Sequence, residues 1–219
     1  METLKLIGQN AENLLREIPA DVTLLAAAKT RTPEEVRVAW EAGIRCFGHN
    51  YVQEAQTMLP QLDFRAEWHM IGHLQRNKAD LAVSLFDLVE TLDSPRLARA
   101  LEKHCAGQEK VLPVYIEINS GREENKDGAL PEDVDALAEL IGTLPHLRLQ
   151  GLMTMGPLTG DAELSRPYFK TTREIFDRIK KDNPEMRWLS MGMSHSYKVA
   201  IEEGANLVRI GTALFGIRK

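Results

Sequence analysis

The most constraining feature of this chain is an alternation: short apolar runs rich in Val, Ile and Leu recur along its length, and amphipathic segments separate them. Such runs read as strands buried on both faces, which require parallel pairing and helical crossovers. The expected strands cover residues 22–28, 45–48, 67–71, 85–91, 111–118, 147–153, 188–191 and 207–210. Ahead of them, Leu4, Ile7, Leu14, Leu15 and Ile18 fall on one face of a leading helix. That segment has no signal-peptide core, and no stretch has the apolar length needed to span a bilayer.

Punctuation between the runs agrees with this order. Thr32, Pro33 and Glu35 form a capping-box pattern with proline at the first helical position, and Ser94 with Pro95 repeats the cap-plus-proline device. Gly43 and Gly204 stand where helices should stop. Eight strand–helix units plus one leading helix use up the 219 residues, so the expected architecture is α/β, a single (β/α)8 barrel domain over 1–219 with an extra N-terminal helix. A doubly wound open sheet has the same local pattern, and periodicity does not separate the two. The longest irregular piece, residues 119–133, follows the fifth strand, where barrels carry functional loops.

Composition narrows the partners. A hydrophobic content of 43% suffices for one large core. The formal charge of -5, with Lys and Arg dispersed, provides no basic surface for a phosphate backbone, which argues against nucleic acid. Cys46 and Cys105, far apart in sequence, read as reduced thiols and point to the cytoplasm.

Lys29 ends the first apolar run. An amine there either marks the strand's end and reaches solvent, or is partly desolvated and made nucleophilic toward a carbonyl. Near the C-terminus, "WLSMGMSHS" leads from a strand through Gly192 and Ser194 toward a helix, so amides and hydroxyls gather beside a helix start; Ser194 could equally cap that helix. The last strand then ends in Gly211 and Thr212. In a barrel, the loops after strands seven and eight are a frequent phosphate site, so these two exits together favour an anion. Arg209 on the last strand could face a ring nitrogen or a ligand carboxylate, or pair with Glu67 or another acid. His69 and His73 are four apart, as in a helical zinc site, but "EWHMIG" reads as a strand, along which that spacing is about 13 Å. No metal site is expected there, and His69 reads as an inward barrel residue or a neighbour of a ligand ring. Met153, Met155, Met191 and Met193 are core filler or apolar walls for a ligand.

Together "LLAAAKTRTPEEV", "GHNYVQEA", "WHMIGHLQRNKA", "INSGREENKDG", "LRLQGLMTM", "LSMGMS" and "VRIGTALFG" resemble the YggS/PROSC family of pyridoxal 5′-phosphate (PLP) homeostasis proteins over essentially the full length. These are single-domain relatives of the alanine racemase barrel, the fold called type III among PLP proteins. The resemblance implies that Lys29 forms the aldimine with the cofactor aldehyde. It further implies that Ser194, Gly211 and Thr212 contact the phosphate, that Arg209 partners the pyridine nitrogen, and that Asn50 lies near the ring. In the family's "GEN" motif this chain has His49 in place of the acid, and "GMSHS" replaces the familiar "GMSDD" at His195 and Ser196.

The expected role is then intracellular PLP homeostasis and delivery, with no catalytic residue assigned. Carbanion chemistry is usually supported by a carboxylate that keeps the pyridine nitrogen protonated, and an arginine cannot accept that proton. Racemases of this fold type share the arginine but add a second domain carrying a tyrosine base, for which no room is expected after Gly211. Expected partners are PLP, other B6 vitamers or amino acids, and apo-forms of PLP enzymes, with a monomeric chain. Two alternatives remain open: a compact PLP enzyme acting on amino acids with His69, His73 or Tyr51 as base, and a Schiff-base aldolase for a sugar phosphate.

Overall fold

The computed structural model describes residues 2–157 and 160–217; the predicted domain ends, Met1 and Lys219, lie outside them. Eight parallel strands close into a barrel in sequence order. They are β1 (Thr23–Ala27), β2 (Cys46–His49), β3 (Glu67–Met70), β4 (Leu88–Leu92), β5 (Leu112–Ile118), β6 (Leu147–Thr154), β7 (Trp188–Met193) and β8 (Leu207–Ile210). Pairing of β1 with β8, Leu25 opposite Arg209, closes the ring and excludes the open sheet.

Helices α1 (Glu2–Glu17), α2 (Pro33–Glu41), α3 (Val52–Met58), α4 (Ala79–Leu85), α5 (Pro95–Gly107), α6 (Val134–Gly142), α7 (Arg166–Ile179), α8 (Tyr197–Glu202) and α9 (Thr212–Phe215) surround the barrel. Both caps act as predicted. Thr32 accepts from the Glu35 amide while Glu35 accepts from the Thr32 amide, and Ser94 accepts from the Leu97 amide. Gly43 and Gly204 have φ of 114° and 92° just past α2 and α8, a conformation that side chains disfavour.

Two apolar layers follow from the period of the strands. Phe47, Met70, Val89, Val114 and Leu152 face outward into the helices, whereas Leu25, Cys46, Ile71, Leu88, Tyr115, Met153 and Leu207 fill the barrel. Each such buried aliphatic or aromatic side chain contributes about 1.5–3 kcal/mol. Among the described residues no helix is long and apolar enough to cross a membrane.

Two boundaries differ from expectation by more than one residue. The fourth strand starts at Leu88, not at residue 85, because Leu85 closes α4, whose Ala79, Ala82 and Val83 bury one face; the apolar run is shared between helix and strand. The seventh strand runs on to Met193, past the expected turn at Gly192. Gly192 has φ of 90°, and a β-carbon there would lie 2.6 Å from the Ala200 β-carbon, so glycine lets α8 press against β7.

Candidate functional site

At the C-terminal mouth of the barrel a cavity of about 230 Å³ is lined by Lys29, Asn50, Ser194, Arg209, Gly211 and Thr212, together with Ala27, Arg31, Ile71, Met155, Met193 and His195. All six predicted binding residues therefore meet in one place. Parallel strands share a mouth, so residues just past β1, β2, β7 and β8 converge although up to 183 positions separate them (212 minus 29).

Lys29 stands two residues past β1, half-buried, and the next residue, Thr30, has φ of 60°. A β-branched residue rarely adopts that backbone, and such strain gathers at functional sites. The Thr30 amide donates to Glu54 at 3.1 Å and holds the turn. Asn50 follows β2, and its Oδ1 is buried with no hydrogen-bond partner among the described residues. Gly72, past β3, touches the Asn50 backbone so closely that any side chain there would overlap the Asn50 carbonyl.

The exits of β7 and β8 are joined directly. Ser194 Oγ accepts from the amides of Gly211 and Ala213, at 3.2 and 3.1 Å. Ser194 therefore does not cap the helix that follows it; α8 begins after Ser196, whose hydroxyl accepts from the Met193 amide instead. Between Ser190–Leu207 and Met193–Arg209 the register slips by one residue, a bulge of the kind that re-aims a strand end.

Arg209 is 4% exposed. It donates to the carbonyls of Ser190 and Thr154, at 2.9 and 2.8 Å, and to Ser190 Oγ at 2.5 Å. Its acidic neighbour is Glu90 at 3.8 Å, and Glu67 pairs with His69 instead. Burial pulls the guanidinium down from its usual range while Glu90 and Glu117 push it back; a guanidinium stays charged in proteins.

His69 is an inward barrel residue and does not line the cavity. Nor do His73 or Tyr51, the other two candidate bases; His73 lies past β3 against Asp127 and Asp93. His49 points outward, stacked on Trp68 with ring centroids 5.7 Å apart, and burial lowers its pKa. The departure from the family's acid at this position therefore falls in the helix layer, away from the cavity. Met155 and Met193 line the cavity walls, while Met153 and Met191 are packed in the two cores.

Glu90, Ser190 and Glu117 were not singled out from the sequence. Each is a polar residue within an apolar strand, "LVETL", "WLSMGM" and "LPVYIEI", and all three are buried inside the barrel. That signal was legible, because a buried carboxylate needs a partner or a proton. Burial raises Glu117 to about 8; Arg209 opposes the rise, and Asp127, Asp93 and Glu90 reinforce it. A larger groove of about 720 Å³ lies between α6 and α7 beside the start of β6, and none of the predicted residues reaches it.

Residues 3–219 match the family described as alanine racemase, N-terminal domain. The chain is 43% identical over 198 residues to the pyridoxal phosphate homeostasis protein of Aquifex aeolicus, covering 90% of this chain and 87% of that one. PipY of Synechococcus elongatus, solved without PLP, superposes with a TM-score of 0.90 at 33% identity over 96% of this chain and all of its own. Its PLP-bound form gives 0.88 at 32%, with the same coverage. Alanine racemase from Bacillus anthracis shares the fold, with a TM-score of 0.81 at 18% identity, 98% of this chain matching 56% of that enzyme. By sequence over nearly its whole length, and by a barrel superposable on PipY, the chain belongs to the pyridoxal phosphate homeostasis proteins, within the alanine racemase N-terminal domain family.

Proposed function

We propose that this chain binds pyridoxal 5′-phosphate in the cavity at the C-terminal mouth and serves as a cytoplasmic holder of the cofactor, releasing it to apo-forms of PLP enzymes. One observation carries the reading: the amine of Lys29 lines the same 230 Å³ cavity as the joined exits of β7 and β8.

The residues present fit the cofactor. When bound, it supplies an aldehyde carbon for an amine and a doubly charged phosphate for a set of donors. Lys29 is the amine. Thr212 offers its hydroxyl and its own amide, and Ser194 fixes that loop by accepting from the Gly211 and Ala213 amides. Ala27, Ile71, Met155 and Met193 provide apolar faces for a flat ring, and the unpartnered Oδ1 of Asn50 offers an acceptor beside it. Arg209 presents a permanent cation, which disfavours protonation of the ring nitrogen and weakens the ring as an electron sink.

The position of the bases expected from the sequence supports a holder over an enzyme: none of His69, His73 and Tyr51 lines the cavity, where the imidazole present is that of His195. A base would have to stand within about 3 Å of the proton it removes.

The test is direct. The protein is loaded with PLP, reduced with borohydride and mapped by mass spectrometry, and the adduct is expected on Lys29. Loaded protein is then given L-alanine and other amino acids in deuterated water. Exchange of α-protons over many turnovers would overturn the holder reading, whereas transfer of one equivalent of cofactor into an apo-enzyme would support it. A failure to take up PLP would reject the site.

A further inference from the structure

Inside the barrel a hydrogen-bonded chain runs across β3, β4, β7 and β8 from Arg209 to His69, and Glu67 continues it as an ion pair. From the cavity inward, Arg209 Nη1 donates to Ser190 Oγ at 2.5 Å, and Ser190 donates its single proton to Glu90 Oε2 at 2.6 Å. Glu90 Oε1 lies 2.7 Å from His69 Nδ1, and His69 Nε2 lies 3.1 Å from Glu67 Oε1. Arg209, Ser190, Glu90 and His69 are all buried, yet the Glu67 side chain is 57% exposed. Glu67 opens β3 beside Cys46, the first residue of β2, so the chain of contacts emerges at the N-terminal mouth, opposite the cavity.

His69 Nδ1 donates to the Glu90 carboxylate, which only accepts, and a second proton on Nε2 is stabilised by the Glu67 carboxylate 3.1 Å away, beside the Cys46 sulfur at 3.6 Å. Burial alone would pull the His69 ring down; the Cys46 sulfur, Glu67 and Glu90 outweigh it and hold the ring well above its usual range. Burial also raises the Cys46 thiol, which sits 3.6 Å from Nε2. The edge of Tyr115 on β5 lies against His69, and Arg209 feels the charge of Glu117 on β5. Ser190 has one proton, committed to Glu90, so its oxygen is left to accept from Arg209. The orientation of Arg209 is thus set from below.

We propose that His69 and Glu90 are positioning residues for the cofactor cavity: through Ser190 they fix the guanidinium of Arg209, and Glu67 extends that control to the solvent at the opposite mouth. The proposal rests on the reading that PLP occupies the cavity, with Arg209 at its ring nitrogen. Loss of the second His69 proton leaves one Glu90 oxygen without its charged donor. Glu90 then turns its charge toward Arg209, and the field on the ring changes.

Two measurements test this separately. In the ligand-free protein, nitrogen-15 NMR of the histidine rings reads the His69 titration. Glu67→Gln, at an exposed position, is expected to lower its midpoint by about one pH unit; an unchanged midpoint overturns the network. In the PLP-loaded protein, the absorption spectrum is followed against pH. Glu67→Gln and Glu90→Gln are expected to shift its pH profile in the direction of the His69 shift, and to weaken PLP binding about twofold and tenfold respectively. Glu67→Gln covers the case in which Glu90→Gln does not fold. Normal spectra and affinity in Glu67→Gln, alongside a shifted His69 midpoint, overturn control of the cavity. Absence of PLP binding by the unaltered protein would overturn the functional reading, while the ligand-free titration still decides the network.

Discussion

Ser194 Oγ accepts a hydrogen bond from the Gly211 amide at 3.2 Å, joining the exit of β7 to the exit of β8 at the mouth of the barrel. With the second bond from Ala213, this hydroxyl fixes the loop that opens α9. Ser194→Ala removes two acceptor contacts at a partly exposed site, worth about 0.5–1.5 kcal/mol each. The expected result is a small fall in melting temperature and about a tenfold weaker affinity for PLP, measured by equilibrium dialysis. Unchanged affinity would remove this hydroxyl from the phosphate loop.

Lys29→Ala tests the amine. Lys29 lies in a turn beyond β1, outside the packed core, so stability should change by less than about 0.5 kcal/mol. Borohydride-stable incorporation of PLP should disappear, with residual reversible binding through the strand exits. A covalent adduct that survives this substitution at full yield would place the reacting amine elsewhere.

Gly72→Ala tests the placement of Asn50. A β-carbon at residue 72 would overlap the Asn50 carbonyl, and Thr91 Oγ1 pins the Gly72 carbonyl at 2.8 Å, so the strain must be relieved by moving the β2 exit. A loss of about 1–3 kcal/mol in urea unfolding is expected, with weaker PLP binding. Retained stability with normal binding would show that the two exits are not in register as described.

Glu117 gives a pH dependence of known sign. Its carboxyl is raised from 4.5 to about 8 by burial, offset by Arg209 and reinforced by Asp127, Asp93 and Glu90. Between these values the folded state keeps a proton that the unfolded chain has released. Stability therefore falls as pH rises across that window, by about 1.4 kcal/mol per pH unit from this group. Glu117→Gln should remove that loss, so the variant gains on the parent steadily from pH 5 to pH 8 in chemical denaturation. Parallel pH profiles would contradict the raised carboxyl.

Much of the barrel was legible in local chemistry. The eight apolar runs, the capping box at Thr32 and Glu35, and the stops at Gly43 and Gly204 all depend on contacts a few residues long. The boundary of β4 was misplaced because one apolar stretch, residues 81–89, serves a helix face and then a strand, and period alone does not separate them. Gly192 was expected to mark a turn, but its freedom is used for close packing of α8 on β7, a contact local sequence does not encode.

The site divides in the same way. The chemistry of its parts, an amine at a strand end, a hydroxyl near a late glycine and an arginine in a buried strand, is written in residue types. That they share one cavity depends on ring closure between β1 and β8, which brings Leu25 opposite Arg209 across most of the chain. Which segments must be buried and which groups could react follows from residue types, since hydrophobicity and acid–base character belong to each residue. That Glu90 binds His69 and Ser190 rather than facing solvent comes from ring closure, because the pairing of a buried charge depends on what the closed barrel places beside it.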